Sequence, residues 1–227
     1  MKKQNLVVLL LRDWWTERNK VNAGEGRKSP EEVCRIISRH HLEFCPAAET
    51  GTKAARPLER WKLPPLGHVK VNFDASFVAE LKAGAYGYVI RTDTGEFVQG
   101  AGKLSFLRSA LHGEAEAEVC IVAMEPTAKP GIHRVQFESD CTTLVASITD
   151  STLDLSENGV MMREAWSLRI LHFDSAKFIF CRRDCNKLAH YLAQFGFQDA
   201  AVSSMWKDTA PDFVNVLLAS DLAEQPV

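Results

Sequence analysis

Three strand patterns follow one another directly, and only afterwards does the chain alternate helix with strand. Val69-Lys70-Val71-Asn72-Phe73-Asp74 sets apolar against polar residues in alternation, the mark of a strand with one buried face. Gly84 to Arg91 and Glu96 to Gly102 read as two more strands, joined by a turn at Asp93-Thr94-Gly95. A helix is expected from about Leu111 to Glu125, stopped by Pro126, and a fourth strand over His133 to Phe137 leads into Glu138-Ser139-Asp140. Helical patterns cover Thr142 to Ile148 and Glu157 to His172, a fifth strand Ala176 to Cys181, and a last helix Asn186 to Gly196. This order predicts an α/β fold with a five-stranded mixed sheet, its first three strands antiparallel, flanked by helices.

The flanks read differently. Residues 5–20 form a short apolar helix pattern ending in a charged turn with Trp14-Trp15, and Asn22 to Pro30 is a Gly- and charge-rich break. Ser29-Pro30-Glu31-Glu32 opens another helix, with Ser29 as N-cap and acidic residues at the positive end of the dipole. Glu49 to Arg60 has little apolar content, and Trp61-Lys62-Leu63-Pro64-Pro65 reads as an extended linker because tandem prolines favour polyproline geometry. The expected organisation is an N-terminal helical and linker segment over 1–60, a domain over 61–200 and a tail over 201–227, with Pro211-Asp212-Phe213 to Leu218 docking as a short helix.

Composition narrows the function classes. The formal net charge of -2 supplies no global positive field, so any binding to nucleic acid must rest on local basic patches. Hydrophobic residues at 46% and charged residues at 25% argue for a folded chain rather than disorder. The apolar run Leu6 to Leu11 is too short for a secretory signal and is followed by Arg12-Asp13-Trp14-Trp15, and no stretch is long enough to span a membrane. The six cysteines contain no CxxC pair, which points to a reduced intracellular protein, in nucleus or cytoplasm.

The chemistry rests on acids from distant parts of the chain. Asp74 ends the alternation of the first strand, Asp140 follows the fourth, and a glutamate lies on the helix between them. Carboxylates at neighbouring strand ends can converge, and several anionic oxygens brought together call for a divalent cation, typically Mg²⁺. On a helical wheel Glu116 shares an arc of about 100° either side with Ala117, Val119, Cys120, Ala123 and Met124, whereas Glu114, Glu118 and Glu125 cluster opposite. Glu116 is therefore the expected ligand, with Glu114 as the alternative. A zinc site from Cys181, Cys185 and His190 has irregular spacing and is disfavoured.

Val71-Asn72-Phe73-Asp74-Ala75-Ser76, Gly84-Ala85-Tyr86-Gly87 with Ile90-Arg91, Leu111-His112-Gly113-Glu114-Ala115-Glu116-Ala117, Arg134-Val135-Gln136-Phe137-Glu138-Ser139-Asp140 and Asn186-Lys187-Leu188-Ala189-His190-Tyr191-Leu192-Ala193 together resemble the ribonuclease H domain of plant LINE-type retroelements, over roughly Trp61 to Gly196. Asp13-Trp14-Trp15-Thr16-Glu17-Arg18-Asn19-Lys20 resembles the segment preceding that domain in the elements' reverse-transcriptase proteins. The resemblance implies a ribonuclease H-like fold and hydrolysis of the RNA strand of RNA–DNA hybrids by two-metal-ion catalysis, with Asp74, Glu116 and Asp140 as metal ligands. His190 stands where many members carry aspartate; it is expected to loosen one metal position or to shuttle a proton, and Mn²⁺ tolerates its nitrogen better than Mg²⁺ does. The 2′-hydroxyl contacts are expected from backbone groups around Ala75, Ser76 and Phe77 and from Asn72 or Asn186, and phosphate contacts from Arg182 and Arg183. Two other readings stand beside this one: a catalytically degenerate nucleic-acid-binding module, suggested by His190, and a protein-interaction fragment using the N-terminal helices and Trp14-Trp15.

Overall fold

The computed structural model describes residues 59–78, 83–105, 112–129, 131–149, 159–197 and 204–223, and between positions 7 and 32 only scattered residues. The elements are β1 (Val69–Val78), β2 (Ala83–Arg91), β3 (Phe97–Ser105), α1 (His112–Thr127), β4 (Arg134–Ser139), α2 (Thr142–Thr149), α3 (Gly159–His172), β5 (Ser175–Phe180), α4 (Lys187–Gly196), β6 (Ser204–Lys207) and α5 (Asp212–Ala223). The chain divides into two compact units, one made of Glu59–Ala210 with Glu224–Val227, the other of Met1–Leu58 with Pro211–Ala223.

The larger unit is built on one mixed sheet in the order β5-β4-β1-β2-β3-β6. The three consecutive strands pair antiparallel, β1 with β2 and β2 with β3, while β4 returns through α1 to lie parallel beside β1, and β5 parallel beside β4. The sheet thus has six strands where the sequence predicts five. The sixth, Ser204–Lys207, pairs antiparallel with β3 from Gln99↔Lys207 to Gly102↔Ser204. Four residues are too few to display a period, and pairing to an existing edge is what makes the segment a strand.

β1 is central, so both its faces are covered and its alternation decides what each layer contains. Val71, Phe73 and Ala75 join Tyr88 and Ile90 of β2, Val135 and Phe137 of β4, and Ala117, Val119, Cys120, Ala123 and Met124 of α1 in the main apolar core. α1, α2 and α3 pack on this side. The other face, carrying Lys70, Asn72 and Asp74, is covered by α4, which packs on β1, β2 and β3.

α4 comes unusually close because the strands beneath it present glycine. Gly87 and Gly102 are direct cross-strand partners. A Cβ on Gly87 would lie 2.2 Å from the Ala193 nitrogen and 2.3 Å from the Ala189 oxygen, and one on Gly102 would lie 2.3 Å from the Leu192 oxygen. The helix backbone therefore rests on the sheet backbone, which only residues without a side chain permit.

Two sequence expectations are corrected here. α1 does not stop before Pro126 but runs through it to Thr127. Proline lacks an N–H and crowds the carbonyl four residues back, but in the final turn few residues follow it, and the next carbonyls are served: the Thr127 hydroxyl donates to Ala123 O at 2.7 Å and the Ala128 N–H to Met124 O at 2.9 Å. The Trp61–Pro65 segment has no regular secondary structure, yet it is packed rather than a loose linker, because Trp61 is 2% exposed and Pro64 is buried.

In the smaller unit the described positions between 7 and 22 are helical. Ser29 caps the next helix reciprocally: the Glu32 N–H donates to Ser29 Oγ at 3.3 Å and the Ser29 N–H to Glu32 Oε2 at 2.9 Å. α5 buries Phe213, Val214, Leu217 and Leu218, with Trp15 edge-on to Phe213 at 6.1 Å.

Candidate functional site

The polar face of β1 is buried at Lys70, Asn72 and Asp74, and each of these side chains has an identifiable partner. Lys70 Nζ sits 2.5 Å from Glu138 Oε1 and donates to the Lys62 carbonyl at 2.6 Å. Asn72 is wholly buried and uses all four of its hydrogen-bonding capacities: Oδ1 accepts from Trp61 Nε1 at 3.0 Å and from Arg91 Nη2 at 2.8 Å, while Nδ2 donates to Glu138 Oε2 at 3.0 Å and to Asn186 Oδ1 at 3.2 Å. The Arg91 guanidinium, 1% exposed, stacks 3.6 Å from the Trp61 ring centroid. Asn186, just before α4, donates through Nδ2 to the Phe73 carbonyl at 2.9 Å. The Phe73 carbonyl lies one residue past the last β1–β4 pair, Asn72↔Glu138.

Asp74 lies at the next outward step on the same face. It does not end β1, as its place in the alternation suggested; β1 continues to Val78 paired with β2, and it is the β4 ladder that stops first. Asp74 Oδ2 is 2.6 Å from His190 Nδ1 of α4, whereas Asp74 Oδ1 is buried with no hydrogen-bond partner. An ionised carboxylate only accepts, so the imidazole nitrogen is the donor. Asp140 repeats the arrangement: Oδ2 accepts from Arg183 Nε at 3.0 Å, and Oδ1 is buried and unpartnered. Asp74 lies two residues past the last β1–β4 pair, Asn72↔Glu138, and Asp140 directly follows β4, so both acids lie toward the same end of these two parallel strands.

Two buried carboxylate oxygens without donors are costly as they stand, and hard anionic oxygens of this kind suit a divalent cation. The donor chemistry therefore fits such an ion. Among the described residues, however, no set of three histidine, cysteine, aspartate or glutamate side chains is placed to hold a metal. Glu116 and its alternative Glu114 belong to the first turns of α1, and their side chains lie outside the described residues. Cys181 and Cys185 are buried, and neither forms a disulfide among the described residues. Burial above all, with the Glu138, Cys185 and Asp140 charges adding to it and Lys70 opposing, pushes the Cys181 thiol well up, which favours its protonated form.

The expected substrate-contacting residues divide. Asn72 and Asn186 are 0% and 1% exposed, with their side-chain amides hydrogen-bonded inside the protein. Ala75 is buried on the core face and Ser76 is half-buried. Arg182 and Arg183 are exposed but ion-paired, Arg182 to Glu59 at 3.1 Å and Arg183 to Asp140. Sequence reasoning missed Lys70, Glu138, Arg91 and Trp61. A signal existed for Lys70: strand alternation puts it on the face of Asn72 and Asp74, and on a strand flanked by helices both faces are dry, so a lysine there needs a buried acid.

Several solved structures share this fold. The N-terminal RNase H domain of a Mycobacterium tuberculosis protein, solved as a fusion with maltose-binding protein, matches with TM-score 0.51 and 18% identity over 59% of this chain and 96% of that one. LC11-RNase H1, isolated from compost by a metagenomic approach, matches with TM-score 0.53 and 14% identity over 60% of this chain and 100% of that one. The same protein in complex with RNA/DNA hybrid gives TM-score 0.51 and 14% identity over 59% and 99%. No curated protein sequence matches the chain. At these identities the likeness establishes a ribonuclease H-like fold. The family described as reverse transcriptase-like matches residues 72–196, a span running from Asn72 through α4 and including Asp74, Asp140 and His190. With more than half of its length matched, the chain belongs to the reverse transcriptase-like family.

Proposed function

We propose that the chain is an endoribonuclease that hydrolyses the RNA strand of RNA–DNA hybrids with a divalent cation, Mg²⁺ or Mn²⁺. The observation carrying this reading is the pair of carboxylates, Asp74 on β1 and Asp140 directly after the parallel β4, each with a buried oxygen that has no hydrogen-bond partner, in a ribonuclease H-like sheet. Asp74 and Asp140, with Glu116 or Glu114 from α1, would hold the ion. Bound there, a divalent cation supplies the Lewis acidity that phosphodiester hydrolysis needs. His190, partly exposed, holds Asp74 in place through Nδ1. Backbone groups around Ala75, Ser76 and Phe77 meet the 2′-hydroxyls, and Arg182 and Arg183 exchange their carboxylate partners for phosphates. A LINE-type retroelement origin in plants and an intracellular site of action, in nucleus or cytoplasm, belong to the same reading.

The test is cleavage of a labelled hybrid in Mg²⁺ and in Mn²⁺. Asp74→Asn is expected to lower the rate by about a hundredfold or more, because it removes an anionic ligand. Cleavage at the wild-type rate in that variant refutes the site.

A second reading has its own observation. The Oδ2 atoms of both acids are already engaged by basic partners, His190 and Arg183. A module that binds hybrid without turnover would use the same fold, and it predicts salt-sensitive binding with no cleavage in either metal.

A further inference from the structure

We infer that Asn186 is a positioning residue that sets the contact between Asp74 and His190, and that Asn72, oriented by Trp61 and Arg91, fixes Asn186 in turn. The inference rests on the proposed hydrolase site and adds to it a device for aligning its parts.

Asn186 touches both partners of that contact through different atoms. Its side-chain Nδ2 donates to the carbonyl of Phe73, the peptide unit immediately before Asp74. Its main-chain carbonyl accepts the N–H of His190 at 3.1 Å, in the first turn of α4. One residue thereby ties the strand at position 73 to the helix at position 190. The free end of its side chain, Oδ1, accepts from Asn72 Nδ2. Asn72 cannot flip its amide without losing four hydrogen bonds at once, because Trp61 and Arg91 occupy the oxygen while Glu138 and Asn186 occupy the nitrogen. Inside a dry interior such a saturated network has one low-energy arrangement. The three-residue 3-10 turn Arg183–Cys185, ending at Asn186, connects this anchor to Arg183 on Asp140, so the segment that orients His190 also carries the Asp140 partner. Neither asparagine is accessible to a ligand, which separates positioning from substrate contact.

The experiment reads the His190–Asp74 contact directly. In the full chain without metal, proton NMR is expected to show the His190 Nδ1–H as a far-downfield signal, the mark of a charge-assisted hydrogen bond; its absence from His190→Ala assigns it. Asn186→Ala is expected to abolish or shift the signal while far-UV circular dichroism stays native, and Gln99→Ala, a buried polar change on the opposite face of the sheet, is expected to leave it in place. Asn186→Ser, which is too short to reach the Phe73 carbonyl, serves if the alanine variant unfolds. A folded Asn186 variant with the wild-type signal overturns the inference, and so does a wild type that shows no such signal. In the hybrid-cleavage assay the variant should lose at least about tenfold in kcat with KM within twofold; a raised KM at unchanged kcat would mean that Asn186 meets the substrate, again overturning it. A wild type that shows the signal but cleaves no hybrid refutes the hydrolase reading alone.

Discussion

Gly87→Ala isolates the feature that brings α4 onto the sheet. The added Cβ would meet Ala193 N at 2.2 Å, Ala189 O at 2.3 Å and Leu192 C at 2.7 Å, and ordinary contact begins at 3.4 Å. All three atoms are helix backbone, so no rotamer change relieves the clash, and α4 must withdraw by about 1 Å. Gly87 is the cross-strand partner of Asp74, and Ala189 is the neighbour of His190. A withdrawal of that size opens the 2.6 Å Asp74–His190 contact beyond hydrogen-bond range. Overpacking costs about 1–3 kcal/mol and the lost charge-assisted bond about 1.5–3 kcal/mol. The two overlap, so urea unfolding should show a loss of about 2–5 kcal/mol, a large part of the ~5–15 kcal/mol by which domains are stable. Gly100→Ala, on the neighbouring strand β3, is the internal control: its Cβ would meet the Phe97 ring at 3.0 Å and the Tyr88 carbonyl at 3.1 Å, contacts that shifts of a few tenths of an ångström relieve. A stability for Gly87→Ala within about 0.5 kcal/mol of wild type, no worse than Gly100→Ala, would refute the claim that backbone contact holds the helix.

Three further outcomes follow from the same structure. Trp61→Ala removes the ring stacked on Arg91 and a donor to Asn72, so urea unfolding should show a loss of about 3–5 kcal/mol, far more than an exposed linker residue would give. Burial pushes the Tyr88 phenol up to about 12 from 10.0, the Gln99 hydrogen bond opposing and the Tyr86 and Glu125 charges adding to the rise. The folded state thus holds the proton that the unfolded chain releases near pH 10; this contribution is complete below that pH and is lost as pH rises through about 12, and Tyr88→Phe should flatten the alkaline fall in a pH-resolved denaturation series. Cys181, buried and held protonated, should resist a thiol-alkylating reagent at pH 8 until denaturant is added, and rapid labelling of the native protein at that position would contradict its burial.

The strand alternation of Val69 to Asp74 determined by itself that Asn72 and Asp74 share a face, and the run of strands before the first helix pointed to a mixed sheet whose first three strands are antiparallel. These are local consequences of pleat and chain connectivity, so they are written in the order of residues. Tertiary structure decided what that face does. Asn72 beside an aspartate looks like a substrate contact until Trp61, Arg91, Glu138 and Asn186, drawn from up to 114 positions away, close around it and leave no capacity free. The meaning of Gly87 and Gly102 was likewise decided by a helix that arrives about a hundred residues later and rests on them, and β6 exists only because the β3 edge offers it hydrogen bonds. Periodicity records which way a side chain points; hydrogen-bond saturation and close approach depend on what comes to meet it, and that is a property of the folded chain alone.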